Sequence, residues 1–179
     1  LEDTLYAILL NVSHLVPADL LEVKVWDASK QTLIPYMLES SGTAQAVRAA
    51  HSQFGELTGT LNARQKSLLI PDTRADDPSL PAWNGSSPVK SYLGLPLIAD
   101  NQLIGTLEIG HLTPGALGQH DFDLVQLIST QAAYSVRNSM LYASEKNRSA
   151  ELSGLANLAQ AFTVAQDYTN LISRLIETI

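Results

Sequence analysis

Near its start the chain changes period. Leu5, Ile8, Leu9, Val12, Leu15 and Val16 recur at three- and four-residue steps, the spacing that lines one face of an α-helix. Asp3 or Thr4 is placed to cap this helix, and Pro17 stops it, because proline disfavours helical backbone in the residue before it. From Leu21 to Trp26 the period falls to two, with Val23 and Val25 alternating with Glu22 and Lys24. That is the pattern of a half-buried strand. Thr32 to Leu38 reads as a second strand, and Asp27-Ala28-Ser29-Lys30 as the turn between them.

The pattern then weakens. Residues 43–54, TAQAVRAAHSQF, favour helix by composition, and a short helix is expected over Leu57 to Gln65. SLLIPD, residues 67–72, is a short buried strand ended by Pro71 and Asp72. TRADDPSLPAWNGSSPVK, residues 73–90, holds three prolines and is the longest irregular stretch. Long ordered loops in compact domains tend to carry function. SYLGLPLIADNQLIGTLEIG, residues 91–110, reads as a hairpin around Ala99-Asp100-Asn101-Gln102, since Asp and Asn tolerate the left-handed backbone of a tight turn. Its first strand contains Pro96. Proline lacks a ladder donor, so Pro96 is expected at a distortion or where pairing is absent. Gly94 and Gly105 suit a close approach of backbone or ligand.

After a loop at Thr113 to Gly118 the pattern turns helical from His120 to about Gln166. Phe122, Val125, Ile128, Ala132, Val136 and Met140 form one stripe. ASEKNRSAE, residues 143–151, is polar nearly all round and is expected to be solvated. Leu152, Leu155, Ala159 and Phe162 resume a narrow stripe near the heptad spacing of a coiled coil. Leu171, Leu175 and Ile176 echo the spacing of Leu5, Leu9 and Leu10. The division expected is a domain over residues 3–145, a signalling helix over 146–167, and over 168–179 the start of a following domain. Helix, two strands, small helix, strand, long loop, hairpin and long helix fit an α+β fold: a central antiparallel sheet with the terminal helices packed on one face.

Composition narrows the partners. With 45% hydrophobic residues among 179, a sizeable core can form. A net charge of −7 and the lack of a basic run argue against nucleic acid and anionic membrane. The chain has no cysteine, which removes disulfides, thiolate metal sites and Cys nucleophiles and suits a cytoplasmic protein. No apolar run is long enough to span a bilayer. The chain begins at Leu1 without a signal-peptide pattern, and is taken as a segment of a longer protein.

Three segments carry a resemblance. GELTGTLNARQKSLLIPDTRADD (55–77), YLGLPLIADNQLIGTLEI (92–109) and HDFDLVQLISTQAAYSVRNSMLY (120–142) are similar to the small helix and loop, the signature hairpin, and the closing helix of GAF domains. The closing helix of that family typically ends in Asn-x-x-Leu-Tyr, here Asn138, Leu141 and Tyr142. The family is a sensory module of bacterial signalling proteins and of some phosphodiesterases. The resemblance implies a PAS-related fold, a small-molecule cavity under the 73–90 loop, pairing of terminal helices, and an output domain such as a histidine kinase. Members that attach a bilin, and those that reduce free methionine sulfoxide, need cysteine, so neither chemistry is expected. The Asn-Lys…Phe…Asp-Glu pattern of cyclic-nucleotide binders is not kept: Gln102 follows Asn101, and Asp123-Leu124 follows Phe122. The ligand therefore stays unnamed.

The candidate chemistry is sparse. His14, His51, His111 and His120 lack metal-ligand spacing. His111 follows a strand, where a haem ligand is one reading and a strand-end side chain the plainer one. Asp121 and Asp123 suit a helix start. Asp72 and Arg74 lie at the start of the long loop as polar anchors, with Arg74 able to grip a carboxylate or phosphate with two parallel bonds. Trp26, Tyr36, Trp83 and Tyr92 lie in or beside the elements that line the cavity in the resembling family. Trp83, in a polar loop, either roofs that cavity or plugs it. Ligand-binding residues are therefore expected at Trp26, Tyr36, Asp72, Arg74, Trp83 and Tyr92, with no catalytic or metal-binding residue. The expected function is a non-catalytic sensor that pairs as a homodimer through residues 3–16 and 120–166. The alternative is a ligand-free module that dimerises and relays.

Overall fold

The computed structural model describes residues 1–38, 45–75 and 88–176, and the side chains of these except Glu56, Ala159 and 161–176. It forms two units, Leu1–Ser139 and Met140–Ile179.

The first unit is built on a six-stranded antiparallel sheet. Its elements are α1 (Glu2–Leu15), β1 (Leu20–Asp27), β2 (Thr32–Leu38), β3 (Ala46–Arg48), α2 (Gly55–Arg64), β4 (Leu68–Ile70), β5 (Ser91–Ala99), β6 (Gln102–His111) and the start of α3 (Gln119–Ile176). The strand order is β3-β2-β1-β6-β5-β4. Residues directly opposite in an antiparallel ladder share a face, so the register sorts the side chains. Leu21, Ile109 and Leu93 form one apolar rung; Val23, Leu107 and Leu95 form the next. α1 buries Leu5, Leu9 and Val12, and α3 buries Val125, Ala133 and Val136, to cover this face. The opposite face carries Glu22 beside Glu108, and Lys24 beside Thr106. α2 covers it, with Phe54, Leu57, Ile70, Val89 and Tyr92 as its apolar core.

The β5–β6 turn has the expected chemistry. Asp100 and Asn101 take φ of 48° and 62°, the left-handed pair of a two-residue hairpin whose twist matches the strands. Pro96 lies beyond Gly94, the last β5 residue paired with β4, and just before a register shift at Leu97/Ile98. That side of β5 needs no donor there, which is why a proline is tolerated.

Three expectations change. Residues 46–48 are a strand rather than helix: Ala46, Val47 and Arg48 pair with Leu38, Met37 and Tyr36. The free edge of β2 offers backbone partners that outweigh a weak helix propensity; residues 43–44 lie outside the described residues. α1 has no side-chain cap, and Glu2 and Asp3 instead occupy its first turn, where carboxylates meet the positive end of the helix dipole. In the second unit α3 runs on to Ile176, past the helix end expected at about Gln166. Gln166-Asp167-Tyr168 contains neither Gly nor Pro to break it.

Candidate functional site

The strand pattern places Glu22 and Lys24 opposite to Val23 and Val25, which for a two-layer fold would mean solvent. In the structure Glu22, Lys24 and Glu108 are 0%, 1% and 0% exposed. β1 and β6 are central strands, and α2 with the 49–54 loop closes over their polar face. Such charges are costly to bury, so they must satisfy each other.

They do so through one network. Lys24 Nζ lies 2.7 Å from Glu108 Oε1 and 3.2 Å from Glu22 Oε2. It donates to Thr58 Oγ1 at 2.6 Å, and Thr58 Oγ1 donates to Glu108 Oε2 at 2.8 Å. Tyr92 Oη donates to Glu108 Oε2 at 3.0 Å, and Thr106 Oγ1 to Oε1 at 2.7 Å. Glu22 accepts from Ser52 Oγ at 2.9 Å and from the Gln53 amide at 2.7 Å. The Phe54 ring centroid lies 5.1 Å from Lys24 Nζ, within cation–π range. The same ring meets Tyr92 edge to face at 5.4 Å. Among the described residues every buried side-chain N and O atom has a partner. Burial, aided by the neighbouring Glu108 carboxylate, holds the Tyr92 phenol well above its ordinary value.

Two glycines make room for this. A Cβ at Gly94 would overlap the Tyr92 hydroxyl and stand 2.7 Å from Cζ. The Tyr92 side chain therefore lies along its own strand over Gly94, which brings its hydroxyl to Glu108. At Gly110 a Cβ would stand 2.7 Å from the Phe54 ring and 2.9 Å from Val89.

Among the described residues, the expected ligand residues Trp26, Tyr36, Asp72, Arg74 and Tyr92 are not brought together at one place. Tyr92 is central to the network. Trp26 is half-buried on β1, at the next position on the Glu22–Lys24 face, paired with Leu33. Tyr36 stands opposite Val23, on the face that α1 covers, so the sheet separates it from Tyr92. Asp72 and Arg74 bind each other: Arg74 Nε and Nη2 donate to the Asp72 carboxylate at 3.0 and 2.9 Å. This grip, with the Arg74 amide, lowers the exposed Asp72 carboxyl to about 2. The Arg74 fork is thus engaged within its own turn. Trp83 lies outside the described residues. The ends of the 73–90 stretch are tied, with the Thr73 amide donating to Lys90 O at 2.9 Å and Thr73 Oγ1 to Val89 O at 2.9 Å. His111 ends β6, with Nδ1 accepting from the Thr113 amide at 3.0 Å and standing 3.2 Å from Asp19 Oδ2. Among the described residues no cluster of three or more His, Asp or Glu could hold a metal ion.

Sequence reasoning missed Glu22, Lys24, Glu108 and Thr58. The available signal was Glu108 inside the apolar run LIGTLEIG, together with opposite charges two apart on β1. Same-face charges on strands that end up central must pair.

Away from this face, α1 and α3 border a groove of about 440 Å³ lined by Ile8, Asn11, His14, Ile128, Gln131 and Ser135, among others. Leu127 is 79% exposed on α3, and Tyr134, Leu141 and Leu155 are also exposed. Among the described residues no helix is long and apolar enough to cross a membrane.

A six-stranded antiparallel sheet with terminal helices on one face and a small helix on the other is a GAF-like α+β fold. A sequence-family profile described as GAF domain matches residues 1–136. The chain belongs to the GAF-domain family, a sensory and regulatory domain found in signalling proteins. Solved structures of similar fold include the GAF domain of a phosphoenolpyruvate-protein phosphotransferase from Coxiella burnetii, with a TM-score of 0.60, 18% identity, and coverage of 78% of this chain and 84% of that one. A methyl-accepting chemotaxis protein fragment matches at a TM-score of 0.57 and 14% identity, covering 77% and 89%. The GAF domain of a two-component sensor histidine kinase from Bacillus halodurans matches at 0.55 and 15%, covering 79% and 96%. At these identities the likeness shows the fold alone.

Proposed function

We propose that the chain is a non-catalytic sensory domain of a cytoplasmic, multidomain bacterial signalling protein. A small molecule held beneath the 73–90 loop biases the domain, and paired helices of two copies carry the bias to an output domain such as a histidine kinase. One observation carries this reading. Leu127, Tyr134, Leu141 and Leu155 are exposed on α3 at multiples of seven residues. Arg148 interrupts the repeat once; exposed apolar residues at seven-residue spacing suit the pairing of helices, and a paired helix is a two-state element that a ligand can bias.

A second reading has its own support. The described part of the polar sheet face is saturated by its own side chains, as in a domain that dimerises and relays without a ligand. Thermal unfolding across a metabolite panel separates the two. A ligand present at a hundred times its Kd adds about 2.7 kcal/mol to folded-state stability, so the first reading expects a clear rise in Tm with at least one compound. A dimer by sedimentation that no compound stabilises favours the second.

A further inference from the structure

Three features of the Lys24 surroundings belong to recognition of a primary ammonium. An alkylammonium has three N–H donors and no acceptor. Lys24 Nζ meets three acceptors: Thr58 Oγ1 at 2.6 Å, Glu108 Oε1 at 2.7 Å and Glu22 Oε2 at 3.2 Å. An aromatic face, Phe54, stands 5.1 Å away, at the distance where a ring quadrupole attracts a cation. The formal charges are two negative on the carboxylates and one positive on the occupant, which favours a cation over a neutral guest.

The acceptors come from separate elements. Glu22 lies on β1, Glu108 on β6 and Thr58 on α2, while Phe54 begins the turn into α2. Glu22 also takes the Gln53 amide and the Ser52 hydroxyl. The ammonium therefore joins the sheet to the 52–58 cap, as a bound ligand would.

We propose that Glu22, Glu108, Thr58 and the Phe54 ring form a primary-ammonium site that the domain fills with its own Lys24. Lys24 acts as an internal ligand that keeps the 52–58 cap closed. This is independent of whether a small molecule binds beneath the 73–90 loop.

Lys24→Ala tests it, because n-propylammonium replaces the atoms the substitution removes. The full chain is studied in n-propylammonium chloride and, separately, in tetramethylammonium chloride at equal ionic strength. The quaternary ion carries the charge but has no N–H to donate. The expected result is a lowered Tm for Lys24→Ala, raised saturably by n-propylammonium alone, with amide exchange at 53–58 slowed again and no shift in the unsubstituted chain. A shift of equal size with both salts, an equal shift in the unsubstituted chain, or no shift at all overturns the proposal. If Lys24→Ala does not fold even with the amine, ¹⁵N NMR of the unsubstituted chain decides. A Lys24 ammonium signal with solvent exchange slowed well below that of the other lysines upholds the caged ammonium. Exchange at the rate of the others overturns it.

Discussion

At Gly94 one missing methyl decides where a buried tyrosine lies. The Tyr92 ring occupies the space a side chain would take, and only so does its hydroxyl reach Glu108 at 3.0 Å. Gly94→Ala is therefore expected to destabilise the domain by about 1–3 kcal/mol, the usual cost of overpacking a filled core. Urea unfolding measures it. In a Tyr92→Leu background the same substitution should cost less, and that coupling is the mark of a shared space. Gly94 is legible in the sequence as a residue of close approach, but what approaches it is not. The nearest neighbour on that face is two positions back on the same strand. Gly105 differs, because there a Cβ would overlap the Lys24 carbonyl oxygen, so it admits backbone rather than a ring.

Elements show how far periodicity reaches. α1 and β1 follow directly from their apolar spacing, and β2, β5 and β6 from strand-like runs bounded by turn residues, β5 and β6 being buried on both faces. The 46–48 strand does not, since three residues carry too little pattern and their state is set by the edge of β2. α3 is legible as a helix, and its exposed leucines carry a prediction. Leu127→Glu combined with Leu141→Glu should turn a dimer into a monomer in sedimentation. Each of the two leucines is exposed, so folded-state stability should change by no more than about 0.5 kcal/mol each apart from loss of the partner. A dimer that survives both substitutions would remove α3 as the pairing surface.

For the whole molecule, the buried network links stability to pH. The folded-state Tyr92 phenol lies well above its ordinary value of 10.0. A group raised on folding adds stability that is full below its unfolded value and is lost as pH rises through the folded one. Below pH 10 Tyr92 is protonated in both states; above it the unfolded chain releases a proton that the folded chain keeps. Stability should thus fall by about 1.4 kcal/mol per pH unit through this one proton. Glu108, Glu22, Lys24 and Thr58 surround the phenol or its acceptor, so the phenolate finds a carboxylate beside it. Tyr92→Phe should lower stability at neutral pH by about 1 kcal/mol through the lost hydrogen bond and flatten the alkaline slope. Tyr36, also raised by burial, should leave a smaller slope of the same sign. Chemical denaturation from pH 8 to 11 measures both.

By itself the sequence determined most of the elements, though not the 46–48 strand, the hairpin with its Asp-Asn turn, and through three segments the family. These are local: each depends on spacing, turn residues and a few contiguous motifs. Only the tertiary structure decided what the polar positions do. Alternation on β1 says that Glu22 and Lys24 share a face, not whether that face meets water. The strand order answers it by placing β1 and β6 at the centre, and α2 closes over them. It likewise put Tyr36 on the other side of the sheet from Tyr92 and turned Arg74 onto Asp72. Burial and partnership are properties of residues far apart in the chain, such as Lys24, Thr58 and Glu108, and no local period encodes a contact at that separation.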